Sequence, residues 1–170
     1  MIIMLILNSI SGNVYHDDQI KEEIHQAEKQ QKLERLFLSR IEMEKSRLRK
    51  HTSDGLEIGL SLDPGTIMRD GDVLSNDSKF IMIHQLPEKV LHVRILHHSD
   101  PTLPVQVGHI IGNRHRPISV TEDGCIVFPI HNDDEIDLFK QLFHDIIDHL
   151  ELQVSVEIFI SNEGMNAHEH

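Results

Sequence analysis

Hydrophobic and polar positions alternate most clearly in residues 56–62, where Leu56, Ile58, Leu60 and Leu62 are interleaved with Glu57, Gly59 and Ser61. That period of two predicts a half-buried strand. Turn signals flank it: Ser53-Asp54-Gly55 before and Asp63-Pro64-Gly65-Thr66 after. Downstream come Arg69-Asp70-Gly71-Asp72, the apolar pair Val73-Leu74, a turn over residues 75–78 and a strand over residues 80–83. Upstream, the apolar run of residues 1–7 reads as a strand ending towards a turn at Ser11-Gly12-Asn13. Residues 17–50 are highly charged. Residues 19–31 read as a short helix or a solvated insert. Leu36 and Leu38, then Ile41 and Met43, are each spaced by two, which favours two short strands around Ser39-Arg40; a single helix over residues 19–50 is the competing reading. Residues 1–86 are therefore expected to form an all-β domain, bounded at Leu86-Pro87-Glu88 because proline favours an extended joint.

Beyond that boundary the period changes. Residues 90–96 form an apolar strand, and Ser99-Asp100-Pro101 is a helix-start signal. Pro104 places the regular helix near or after itself, with a stop near Gly112-Asn113. Residues 118–130 predict a hairpin turning at Glu122-Asp123-Gly124. Asn132-Asp133-Asp134-Glu135 opens a second helix, with carboxylates where the helix dipole favours them. Ile136, Phe139, Leu142, Phe143, Ile146, Ile147 and Leu150 form its apolar face. Residues 153–160 form a last strand. The fold class is thus α+β: an N-terminal all-β domain over residues 1–86, a ferredoxin-like βαββαβ domain over residues 88–161, and a polar, flexible, histidine-containing tail over residues 162–170.

Composition then points to chemistry. The chain has 170 residues, a formal net charge of -12, fourteen histidines and one cysteine. Strong acidity argues against nucleic-acid binding, which needs a basic footprint. Cys125 cannot form an internal disulfide, so an intracellular, cytoplasmic protein is expected. The apolar start is too short to span a bilayer and lacks a basic flank, so neither membrane insertion nor a signal peptide is expected. Abundant imidazole with scarce thiol favours reversible binding of borderline metals over a closed structural zinc site.

Spacing discounts most of the histidines. His109 and His115 lie six apart, a rotation of about 240° on one helix, and His144 and His149 lie five apart, about 140°. Neither pair shares a face. His84 and His92 read as ordinary strand-associated residues, and the adjacent His97 and His98 do not readily converge on one ion. His168 and His170 are spaced by two, so an extended tail points both to one side; the competing reading is a plain polar terminus. His115 ends a predicted helix, where it reads either as a ligand or as a residue capping the helix dipole. The chain has no phosphate-binding loop, and Cys125 reads as a buried or edge-strand thiol of the hairpin.

Gly112-Asn113-Arg114-His115, followed by Pro117, resembles the GNRH segment of the UreE family, the urease accessory metallochaperones. The resemblance extends to Ser46-Arg47-Leu48-Arg49, to Asp54-Gly55-Leu56-Glu57-Ile58-Gly59-Leu60, to Gly65-Thr66, to Arg69-Asp70-Gly71-Asp72-Val73-Leu74 and to Pro87-Glu88, in the family's order. It covers most of residues 33–170, while residues 16–32 look like an insertion or a variable stretch. The resemblance implies an N-terminal β domain that binds partner proteins or peptides and a ferredoxin-like domain that carries the metal site. It implies a homodimer in which His115 meets its mate across the two-fold axis and binds nickel, with zinc able to substitute. His168 and His170 would add ligands from the tail. A two-fold axis supplies one residue twice, leaving open positions through which the ion can be passed on. Ligation needs neutral imidazole, so binding is expected to weaken below about pH 6.5.

Two positions depart from the family pattern. Ile110 stands where many members have a histidine, and His109, one earlier, is not carried over. His131-Asn132-Asp133 stands where some members have a His-x-His pair, leaving His131 with Asp133 as a weaker candidate. The expected function is a non-enzymatic nickel chaperone that delivers its cargo for urease active-site assembly. Its partners would be urease apoprotein and an accessory complex including a GTPase. A general protein- or peptide-binding scaffold with incidental metal binding is the alternative. A metal-dependent hydrolase is disfavoured, since no histidine–carboxylate set has catalytic spacing.

Overall fold

The computed structural model describes residues 4–97 and 100–162. The chain is mixed α/β, with several small sheets and few helices, and divides into two compact units, Met1–Leu86 and Pro87–His170.

The first unit builds two sheets from short alternating segments. Strands β1 (Leu5–Leu7), β4 (Arg47–His51) and β5 (Glu57–Ser61) form one, in the order β1-β5-β4. Strands β2 (Gly12–Asn13), β3 (Leu33–Leu38), β6 (Asp72–Ser75) and β7 (Phe80–Gln85) form the other, in the order β2-β6-β7-β3. The predicted alternation in residues 56–62 is observed, with Ile58 and Leu60 of β5 buried against Leu7 of β1, Leu36 and Leu38 of β3, and Ile81 and Ile83 of β7. Each such side chain contributes roughly 1.5–3 kcal/mol by leaving water. Intervening residues of β7 serve the opposite face, where Phe80 and Met82 lie under Ile20 and Ile24.

Those two isoleucines belong to α1 (Asp18–Lys29), and this helix corrects the expectation of an all-β first domain. Asp17 caps it, accepting from the amides of Gln19 at 2.9 Å and Ile20 at 3.2 Å. Ile20, Ile24 and Ala27 recur at helical spacing, enough to dock a short charged helix on one side of a sheet. A second correction falls at Ile41 and Met43, predicted as a strand. They lie in α2 (Arg40–Met43). The Ser39 hydroxyl accepts from the Glu42 amide, and the Glu42 carboxylate accepts from the Ser39 amide. This reciprocal capping box outweighs the two-residue apolar spacing.

The second unit runs β8 (Glu88–Ile95), α3 (Thr102–Gly112), β9 (Ser119–Val120), β10 (Ile126–Pro129), α4 (Asp134–Leu142) and β11 (Leu150–Glu157). The sheet order is β11-β8-β10-β9, and every neighbouring pair is antiparallel. Leu103, Val107 and Ile111 of α3 and Phe139 of α4 cover Leu91, Val93 and Phe128 of the sheet. Helix α3 begins two residues before Pro104, because a proline in the first turn replaces an amide that has no helical acceptor. Helix α4 ends eight residues before the end of its apolar spacing. Ile146 and Leu150 still reach the core, but by way of a 3-10 turn (Ile147–His149) and β11. The eight-residue ladder between β11 and β8, starting at Leu150 opposite Ile95, claims that segment. Among the described residues, no helix is long and apolar enough to cross a membrane.

Candidate metal centre

Helix α3 is anchored by Leu103, Val107 and Ile111, all buried, and it ends in a tightening turn. The amide of Asn113 donates to the His109 carbonyl at 3.0 Å, that of Arg114 to Ile111 at 3.0 Å, and that of His115 to Gly112 at 2.9 Å. His115 itself is left-handed, with φ of 54°. This conformation costs a side-chain-bearing residue roughly 1–2 kcal/mol, although histidine adopts it more readily than most. Its side chain is exposed, and among the described residues its ring has no hydrogen-bond or ion-pair partner. His109, six residues earlier, is engaged: its Nε2 accepts from the Asn113 side-chain amide at 3.1 Å.

The next residue turns the other way. Arg116 is mostly buried and reaches the start of α4. Its Nη1 lies 3.0 Å from His131 Nε2, and its Nη2 lies 2.9 Å from His131 Nδ1 and 2.7 Å from Glu135 Oε1. Glu135 also accepts from the His131 amide at 3.0 Å, and its Oε1 lies 3.1 Å from His131 Nδ1. Burial would push the Glu135 carboxyl up, but the His131 amide and ring, with Arg116, outweigh it and hold the group below the usual carboxylate range. An ion at His131 would first have to displace the guanidinium. Asp133, the expected companion of His131, accepts from Lys89 at 2.7 Å, while Glu135 faces His131.

One predicted ligand is thus exposed, one is clasped by Arg116, and two, His168 and His170, lie outside the described residues. Among the described residues, no three His, Cys, Asp or Glu side chains gather closely enough to hold an ion. His115 can contribute a single nitrogen, so any site built on it needs donors from elsewhere. Cys125 does not offer one: it is buried with Val90, Val127 and Phe159, and burial pushes its thiol up, away from the thiolate that binds metal. The Arg116–Glu135 partnership escaped the sequence reading because the residues lie nineteen apart. The i, i+4 spacing of His131 and Glu135 at a helix start was the available signal.

Residues 9–84 match the family model described as UreE urease accessory protein, N-terminal domain. Curated relatives named urease accessory protein UreE extend the similarity into the second unit. That of Natronomonas pharaonis is 30% identical over 133 residues, covering 76% of this chain and 61% of the relative. That of Yersinia bercovieri is 32% identical over 136 residues, covering 75% and 58%. That of Proteus mirabilis is 37% identical over 97 residues, covering 56% and 58%. The chain spans about six-tenths of the length of these relatives, which are accessory proteins by name rather than enzymes. Residues 9–84 thus carry a UreE amino-terminal domain, and the chain is similar along three quarters of its length to UreE urease accessory proteins.

Proposed function

We propose that this protein is a nickel carrier for urease maturation that binds its cargo at a dimer-interface site built on His115. The observation that carries this reading is the exposed imidazole, without a partner among the described residues, held in a left-handed turn at the end of a well-anchored helix. Strain accepted at a solvent-facing donor is a reason to look for function there. A two-fold axis through this turn would bring two such nitrogens to one ion, with positions left open for transfer. His168 and His170 would complete the shell when cargo is held, and zinc would compete for the same nitrogens. His131 would contribute only after release from Arg116.

The exposed side of α3 supports a second copy as the source of the missing donor. Val105 is 70% exposed there, and Gly108 and Gly112 lie on the same side. A Cβ at either glycine would meet nothing within 4 Å among the described residues, so no packing there requires either to be small. Small residues on an open helix face allow another helix to approach closely. The strand and helix order of the second unit, and its antiparallel sheet, support a ferredoxin-like reading of this metal-binding and dimerisation domain. The first unit would serve as the partner-binding domain, engaging urease apoprotein and a GTPase-containing accessory complex in the cytoplasm.

Calorimetric titration of the His115→Ala variant with nickel tests the proposal. The tightest site is expected to weaken by about a hundredfold or more while the dimer persists in sedimentation. Wild-type affinity in that variant would remove His115 from the site.

A further inference from the structure

A second pair of imidazoles lies at a different place on the second unit. His97 follows β8, and His149 precedes β11, at the end where the ladder between these strands closes. The pairing of Leu150 with Ile95 and the bond from the Leu96 amide to the His149 carbonyl, at 2.9 Å, fix the two segments side by side. Both anchoring residues, Ile95 and Leu150, are buried in the core, while both histidines are exposed. Their ring centroids are 5.7 Å apart, with the planes at 78°. Asp100 lies near enough for charge on His149 to act on it. The Thr102 hydroxyl and amide chiefly hold the Asp100 carboxyl below its usual range, and His149 adds to them.

We propose that His97 and His149 form a second, intrachain site for a borderline divalent metal ion, held by two imidazole nitrogens and completed by water. Two nitrogens each about 2.0–2.1 Å from a tetrahedral ion place the ring centres about 5.2 Å apart. The observed separation exceeds that by about half an ångström, which rotation of exposed side chains closes. Near-perpendicular planes leave both rings free to turn a nitrogen towards the gap. Asp100 supplies negative charge close by without being a ligand, consistent with no group of three donors among the described residues. The net charge of -12 favours cations throughout. Two ligands flanking the end of a paired strand ladder make a site of modest affinity that loads and unloads readily. It needs neither the dimer axis nor the tail, so it stands apart from the His115 reading.

The test uses the full chain with His115, His168 and His170 all changed to Ala, titrated with nickel chloride and separately with zinc chloride. This background is expected to keep about one ion per chain, and adding His149→Ala or His97→Ala is expected to weaken that binding at least about tenfold. In otherwise wild-type protein, His149→Ala is expected to lower the stoichiometry by one ion per chain and leave the tightest site intact. Zinc is expected to shift the imidazole nitrogen resonances of His97 and His149 together. A background variant that binds no ion overturns the proposal. So does a His149 substitution that leaves the isotherm unchanged, which would assign the contact to edge-to-face ring packing. Loss at His115 alone and loss at His149 alone are read separately, so either site can fail without the other.

Discussion

The two units treat polar groups in opposite ways. In the first, carboxylates go inside: Glu34 is 5% exposed, and Glu57 and Asp72 are also buried. Each is held there by partners. Glu34 accepts from Thr52 Oγ1 at 2.7 Å and from Lys79 Nζ at 2.5 Å, and Asp72 accepts from Asn13 Nδ2 and the Arg69 amide. In the second unit the described core is apolar, and the polar groups that matter lie at its surface or just beneath, around His115, Arg116 and His149. The first unit therefore spends its chemistry on fixing a small two-sheet fold. The second fixes its fold by apolar packing and leaves imidazoles available. Charge changes in the first unit should register as stability, and those in the second chiefly as reactivity.

Lys79→Met gives the sharpest contrast. It leaves the Glu34 carboxylate buried beside Thr52 alone, and it is expected to destabilise the first unit by about 2–3 kcal/mol, at the low end for a broken buried pair because Lys79 is itself 37% exposed. Burial pushes Glu34 up, but Lys79 and Thr52 hold its pKa below the ordinary value in the folded protein. A depressed folded pKa contributes stability above the unfolded value, lost as pH falls through the folded one. The deficit of the variant should thus be full at pH 7 and shrink towards pH 4, where a protonated Glu34 no longer needs a cation. Urea denaturation across that range would show it. A deficit constant with pH would mean that Lys79 acts through its hydrocarbon stem.

Arg116→Met is the counterpart in the second unit. Glu135 would keep the His131 amide and ring as partners, so about 1–2 kcal/mol is expected, less than for Lys79. The informative change is at His131, whose two nitrogens lose the guanidinium. Its ring should react faster with an acylating reagent, measured by peptide mapping, while the fold persists. An unchanged rate would show that Arg116 does not shield His131 and would blur the contrast between the units.

What the sequence revealed follows the same division. The strand over residues 57–61 was legible because alternation and burial coincide there, and the end of α3 was legible because Gly112-Asn113 is a contiguous stop signal. The Arg116 clasp was not, since its members meet only once α3 and α4 lie on one sheet. Nor was the end of α4: the spacing from Ile136 to Leu150 is helical throughout, but a core does not record which backbone delivers a side chain to it. The pairing of His97 with His149 was hidden likewise, because they flank strands that are adjacent only in the sheet.

The smallest expected effect concerns the segment that the sequence pattern misread. Ile41 and Met43 alternate as a strand would, yet Met43 is buried and Ile41 exposed on a single turn of helix. A four-residue helix has too few internal bonds to persist by itself. Ser39 and Glu42 hold it because each side chain accepts a hydrogen bond from the other's backbone amide, and Glu42 also accepts from Lys50 at 2.7 Å. Ser39→Ala should therefore cost about 1 kcal/mol, seen as a lower urea midpoint with an unchanged slope, and Ser39→Thr should recover most of it. A neutral alanine variant would mean that Met43 packing alone holds the turn. The first unit would then rely on its buried polar pairs more narrowly, at Glu34, Glu57 and Asp72, and less on polar contacts in general.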